Sequence, residues 1–168
     1  MRPLLLVAAC LGLVPALGCR IEDRTPAGSR QDEDAVLTLI SQYARSFSEE
    51  DWSAVRGLFW RGGRYSGPMV PRSVGQPVPI DSALAHIARH LDGAEPGSFD
   101  VRLLRTDFRQ DGDLAGAWIT TRRLTPGVGG AVERDWVEHL VLRRIGGNWR
   151  IVIVAGAAAP RGSPRGPR

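Results

Sequence analysis

After Pro96 the apolar residues of this chain stop recurring at helical spacing and begin to alternate. Alternation is the period of a strand with one side chain in and the next out. It is sustained over residues 98–109, 114–125, 131–144 and 148–155, which predicts four strands in succession. Asp111-Gly112-Asp113 and Gly146-Gly147-Asn148 are tight hairpin turns, and Thr125 to Gly130 is a longer one. Four strands joined this way form an antiparallel meander.

The half before Pro96 has the helical period. A first helix is expected over 31–47, with Ser29 and Asp32 as a capping box and acids in its first turn. Val36, Leu37, Ile40, Tyr43, Ala44 and Phe47 form its apolar face. Ser48 is expected to cap a second helix that buries Trp52, Val55, Leu58 and Phe59 and ends at Gly62-Gly63. A Pro- and Gly-rich loop runs from Gly67 to Pro79 behind a short strand near Arg64–Ser66. Asp81 then caps a third helix, 82–92. The class is therefore α+β: three N-terminal helices packed on a curved antiparallel sheet of four main strands plus a short one.

The chain of 168 residues suits one domain. Its 22 basic residues are all arginine, yet the charge lies at the ends. From Asp32 to Gly156 there are 15 arginines against 16 carboxylates, one negative charge net. A nucleic-acid binder carries its basic face on the fold, so no nucleic-acid partner is expected.

Residues 1–18 form a secretory signal. Arg2 is the positive start, and Leu4 to Leu17 is an apolar run too short to cross a membrane. Ala16-Leu17-Gly18-Cys19 resembles the lipobox of bacterial lipoproteins, in which the cysteine is diacylated and the signal is cut before it. That resemblance implies lipidation of Cys19 and, with Arg20 behind it, the periplasmic side of the outer membrane in a Gram-negative cell. The same residues also suit an ordinary signal cut after Ala16 or Gly18, which would leave a secreted or periplasmic protein. Cys10 leaves with the signal, so the mature chain holds one cysteine, and a thioether to lipid removes its exposed thiol. Residues 19–30 are a tether, 31–156 the domain, and 157–168 a disordered basic tail.

The helix pair Ala35–Phe47 and Trp52–Phe59, and the ending Glu138-His-Leu-Val-Leu-Arg-Arg-Ile-Gly-Gly-Asn-Trp-Arg-Ile-Val, resemble the nuclear transport factor 2-like superfamily in its SnoaL-like bacterial branch. The resemblance implies a cone whose helices close over the concave sheet face and leave a pocket for a small apolar molecule. Tyr43, Phe47, Trp60, Tyr65, Trp118 and Trp136 are the candidates to line it.

Glu138 lies between Trp136 and Leu140 on one strand face, with His139 on the other. A carboxylate among apolar groups would suit a general acid or base; an ion pair with Arg122, Arg134 or Arg143 is the structural alternative. His86 and His90 are four apart but opposite the apolar stripe of their helix, and no CxxC or HExxH accompanies them, so no metal or cofactor is expected.

The last two strands are apolar on both faces, and a sheet open to water on one side should alternate apolar and polar. A second copy of the chain is the simplest cover, which predicts a homodimer through the outer sheet face. Three functions stay open: a small-molecule-binding or sensing domain of the envelope, an isomerase, cyclase or dehydratase using Glu138, and a non-catalytic dimerisation module.

Overall fold

The computed structural model describes residues 30–70 and 76–159. The signal, Cys19, Ser29 and the chain from 160 onward lie outside the described residues. Helix α1 (Arg30–Ser48) buries Val36, Leu39, Ile40, Tyr43, Ala44 and Phe47. Leu37, expected on that face, is 39% exposed, and Leu39 takes the buried position.

The second helix is shorter than its apolar pattern suggests. Helix α2 (Trp52–Leu58) is capped by Asp51, whose side chain accepts from Ala54 N at 2.9 Å. Ser48, the expected cap, instead donates to Asp100 Oδ1 at 2.6 Å. Phe59 leaves the helix in extended geometry and opens strand β1 (Phe59–Ser66). The expected strand near Arg64–Ser66 therefore starts five residues earlier. Strand β2 (Val78–Pro79) is a two-residue edge. Helix α3 (Ile80–Leu91) has Pro79 at its start, and Asp81 caps nothing because its carboxylate is held by Arg56.

The expected meander is β3 (Asp100–Asp111), β4 (Leu114–Thr125), β5 (Val132–Ile145) and β6 (Asn148–Ala158). It continues into a six-stranded sheet ordered β2-β1-β6-β5-β4-β3. All neighbours are antiparallel except β1 and β6, which run parallel. Ala157 and Ala158 pair with Val137 and Trp136, so β6 takes two residues that sequence composition assigned to the tail.

Face assignment follows from register. Ile119 lies opposite Glu138, Thr121 opposite Trp136, and Ala117 opposite Leu140. These residues point inward, under the helices. On β6 a bulge opposite Val141–Leu142 shifts the parity. Ile151 and Val154 are buried, while Ile153 pairs with Val141 on the outer face. Strict alternation would put Ile151 and Ile153 on one face; one inserted residue turns the second outward.

Candidate functional site

The interior of the cone is filled by aromatic rings around an ion pair. Tyr43 and Phe47 are one helical turn apart on α1, which places both over the sheet. Their rings meet edge to face at 5.0 Å, and Phe47 stacks on Tyr65 of β1 at 6.0 Å. All three are fully buried.

Glu138 sits beneath these rings with no exposed surface. Its carboxylate is not among apolar groups. Tyr43 Oη donates to Oε2 at 2.6 Å, while Thr121 Oγ1 and Arg123 Nη2 donate to Oε1 at 3.0 and 2.5 Å. Arg123 is itself buried, and its guanidinium lies 5.2 Å from the centre of the Phe47 ring. Burial works against the charge of Arg123, but the Glu138 carboxylate together with the Tyr65 and Tyr43 phenols holds the guanidinium above its ordinary pKa. Burial and then the negative charge of Glu138 push the Tyr43 phenol well above its usual value. Burial likewise raises Tyr65. Tyr65 Oη lies near Tyr43 and Arg123 but completes no hydrogen bond of ordinary geometry.

Chemically this is a locked network. Each described partner of Glu138 is a donor, so the carboxylate has only accepting to do. A residue that shuttles protons needs a route to a substrate atom, and Glu138 is enclosed. Two glycines complete the enclosure. A Cβ on Gly156 would come within 3.0 Å of Glu138 Cγ, and one on Gly67 within 2.4 Å of Tyr65 Oη.

The structural alternative for Glu138 held in kind but not in partner. Arg122 faces outward and grips Asp135 through two bonds of 2.8 and 3.2 Å. Arg143 also belongs to the outer register, opposite Leu114, and Arg134 is exposed. Apolar patterning does not single out Arg123, but parity does: it continues the inward series of Ala115, Ala117, Ile119 and Thr121 along β4.

The six aromatic candidates separate. Tyr43, Phe47 and Tyr65 lie in the interior, and Trp136 is half-buried on the same face. Trp60 and Trp118 do not join them, being 44% and 57% exposed. Each follows or precedes a buried neighbour in its strand, and strand alternation sends it outward. Trp118 stacks on His139 at 4.4 Å, and the two line an outer-face cleft of about 520 Å³ with Phe108 and Gly116. His86 is half-buried and His90 exposed, and no three potential ligands converge on a metal position among the described residues.

No family model matches the sequence, and no curated protein matches it significantly. Solved structures do match. An NTF2-like protein of unknown function from Pseudomonas putida is 18% identical, with a TM-score of 0.64 over 78% of this chain and 89% of its own. An NTF2-like protein with a cystatin-like fold from Novosphingobium aromaticivorans is 19% identical, with a TM-score of 0.61 over 80% and 85%. The CaMKII hub of S. rosetta is 18% identical, with a TM-score of 0.60 over 80% of this chain and all of its own. Three N-terminal helices closing over a curved six-stranded sheet give this chain the NTF2-like, cystatin-like fold.

Proposed function

We propose that this domain is a non-catalytic association module that pairs with a second copy of itself through the outer face of its sheet. The observation that carries this reading is the uncovered apolar centre of that face. Trp118, Val137, His139, Val141 and Ile153 lie side by side on β4, β5 and β6, and the helices pack on the opposite face. Trp118 is exposed and the other four are half-buried, and a contiguous, solvent-facing patch of this kind marks an interaction surface. The filled interior favours the same reading over a ligand-binding or catalytic cone, since Glu138 is already matched by three donors. Among structures sharing the fold, one is named the association domain of C. elegans CaMKII and another a CaMKII hub. The SnoaL-like branch adds nothing further to this reading.

We place the module at a membrane, exported by residues 1–18 and held by lipid on Cys19. Mass spectrometry of the mature N-terminus is expected to find a diacylated Cys19; a free thiol, or a start elsewhere, overturns the anchor and leaves export standing. For association, the mature chain carrying Cys19→Ser is expected to sediment as a dimer. Trp118→Glu puts a charge into the centre of the face and should yield a monomer with unchanged circular dichroism. A parent protein that sediments as a monomer at micromolar concentration rules the dimer out.

A further inference from the structure

Five arginines and one carboxylate line two adjoining clefts at one end of the domain. A cleft of about 620 Å³ lies between α2, the start of β1, the first turn of α3 and the β5–β6 hairpin, and includes Arg56, Trp60, Arg61, Asp81 and Arg150. A second, of about 360 Å³, adjoins it through Trp60 and Ile145 and adds Arg143, Arg144 and Val152. Three acids meet these arginines, and Glu33 of the α1 first turn also lies at this end. Asp81 is bound by Arg56, and Asp32 and Asp113 are both bound by Arg144. Arg61 and Arg143 are exposed and take part in none of the ion pairs found among the described residues. Arg150 meets only a carbonyl, donating to Gly57 O at 2.6 Å. Trp60 stands between the two clefts with nearly half its surface in water.

This is also the end at which the chain enters the fold. Helix α1 begins at Arg30, and Asp32 in its first turn is held at 2.7 Å by Arg144, which lines the smaller cleft. Cys19 is 11 residues before Arg30, a reach of at most about 40 Å. A lipid on Cys19 would tether the domain to the bilayer through this end.

We infer that the Trp60–Arg61–Arg143–Arg150 surface docks on the headgroups of an anionic phospholipid bilayer. The chemistry matches on both counts. An indole settles at the boundary between headgroup and acyl chain, and arginines bind phosphate with fixed, multiple donors. Docking here would also leave the centre of the outer sheet face, around Trp118 and His139, available for a partner copy. The inference rests on the anchor reading only for the direction in which the domain faces.

The test uses the mature chain with Cys19→Ser, which keeps every element from α1 to β6 and carries no lipid. Co-sedimentation is measured with vesicles of phosphatidylcholine alone and of phosphatidylcholine mixed with phosphatidylglycerol. Binding is expected to the mixed vesicles only, and to weaken as salt is added. Arg61→Glu together with Arg143→Glu, at positions with no bond to disrupt, should lower the partition coefficient about tenfold or more. Brominated phosphatidylglycerol should quench the parent's tryptophan fluorescence more than that of Trp60→Phe. Equal binding to both vesicle types, an unchanged partition coefficient in the double variant, or equal quenching in the Trp60→Phe variant overturns the inference. So does displacement by glycerol phosphate beyond the effect of its ionic strength, which would assign the clefts to a free anion. Because no acyl group is present, failure here leaves the lipid on Cys19 untouched, and an unmodified Cys19 leaves this result standing.

Discussion

Arg123→Met is expected to destabilise the domain by about 3–5 kcal/mol, lowering its melting temperature by roughly 10–20 °C. The reason is the position of Glu138. Its carboxylate has no exposed surface, and Arg123 is the cation that faces it. Removing the guanidinium leaves a buried negative charge held by the Tyr43 and Thr121 hydroxyls alone. Glu138→Gln makes the converse error, leaving Arg123 charged between a neutral amide and the Phe47 ring. Replacing both, Arg123→Met with Glu138→Leu, removes the mismatch and should recover much of the loss. Buried pairs replaced whole by apolar groups are often tolerated. Thermal melts of the two single variants and the double variant read this directly. An Arg123→Met protein that melts within about 2 °C of the parent would contradict the network as described.

Alkaline pH should unfold the domain along a path set by its tyrosines. The chain has only two, Tyr43 and Tyr65, and both are buried with phenol pKa values above the ordinary 10.0. Raised acids of this kind bind their protons more tightly in the folded state than in the unfolded one. Their contribution is fully present below pH 10 and is lost as pH rises from the unfolded toward the folded value. Stability is therefore expected to be level with respect to these groups at neutral pH. Above pH 10 it should fall by about 1.4 kcal/mol per pH unit for each tyrosine. Phenolate absorbance should appear together with loss of the fold rather than ahead of it. Tyr43→Phe should roughly halve the slope. Phenolate absorbance rising near pH 10 in a protein that keeps its circular dichroism would show that the interior is open to hydroxide.

The outer face shows how far sequence patterning reaches. Alternation along β5 sets Trp136, Glu138 and Leu140 against Val137, His139 and Val141, and the structure keeps those two sets apart. The same reasoning failed on β6, because the bulge inserts a residue opposite Val141–Leu142 that the apolar pattern does not reveal. It failed again at Phe59. Trp52, Val55, Leu58 and Phe59 have helical spacing, but Phe59 and Trp60 are drawn into a strand by pairing with β6, about ninety residues later in the chain.

What the sequence by itself determined is the α+β class, the succession of meander strands and the two-sided apolar character of the last of them. These are consequences of local period and turn chemistry, which each short stretch carries on its own. Only the tertiary structure decided that Arg123 and Tyr43 are the partners of Glu138, that Trp60 and Trp118 turn outward, and that arginines from α2, β1, β5 and β6 gather around Trp60. Tyr43 and Glu138 are 95 residues apart in the chain, and their contact depends on strand register and on how α1 lies across the sheet. Periodicity reports which side of its own element a residue occupies; register and packing determine what it meets there.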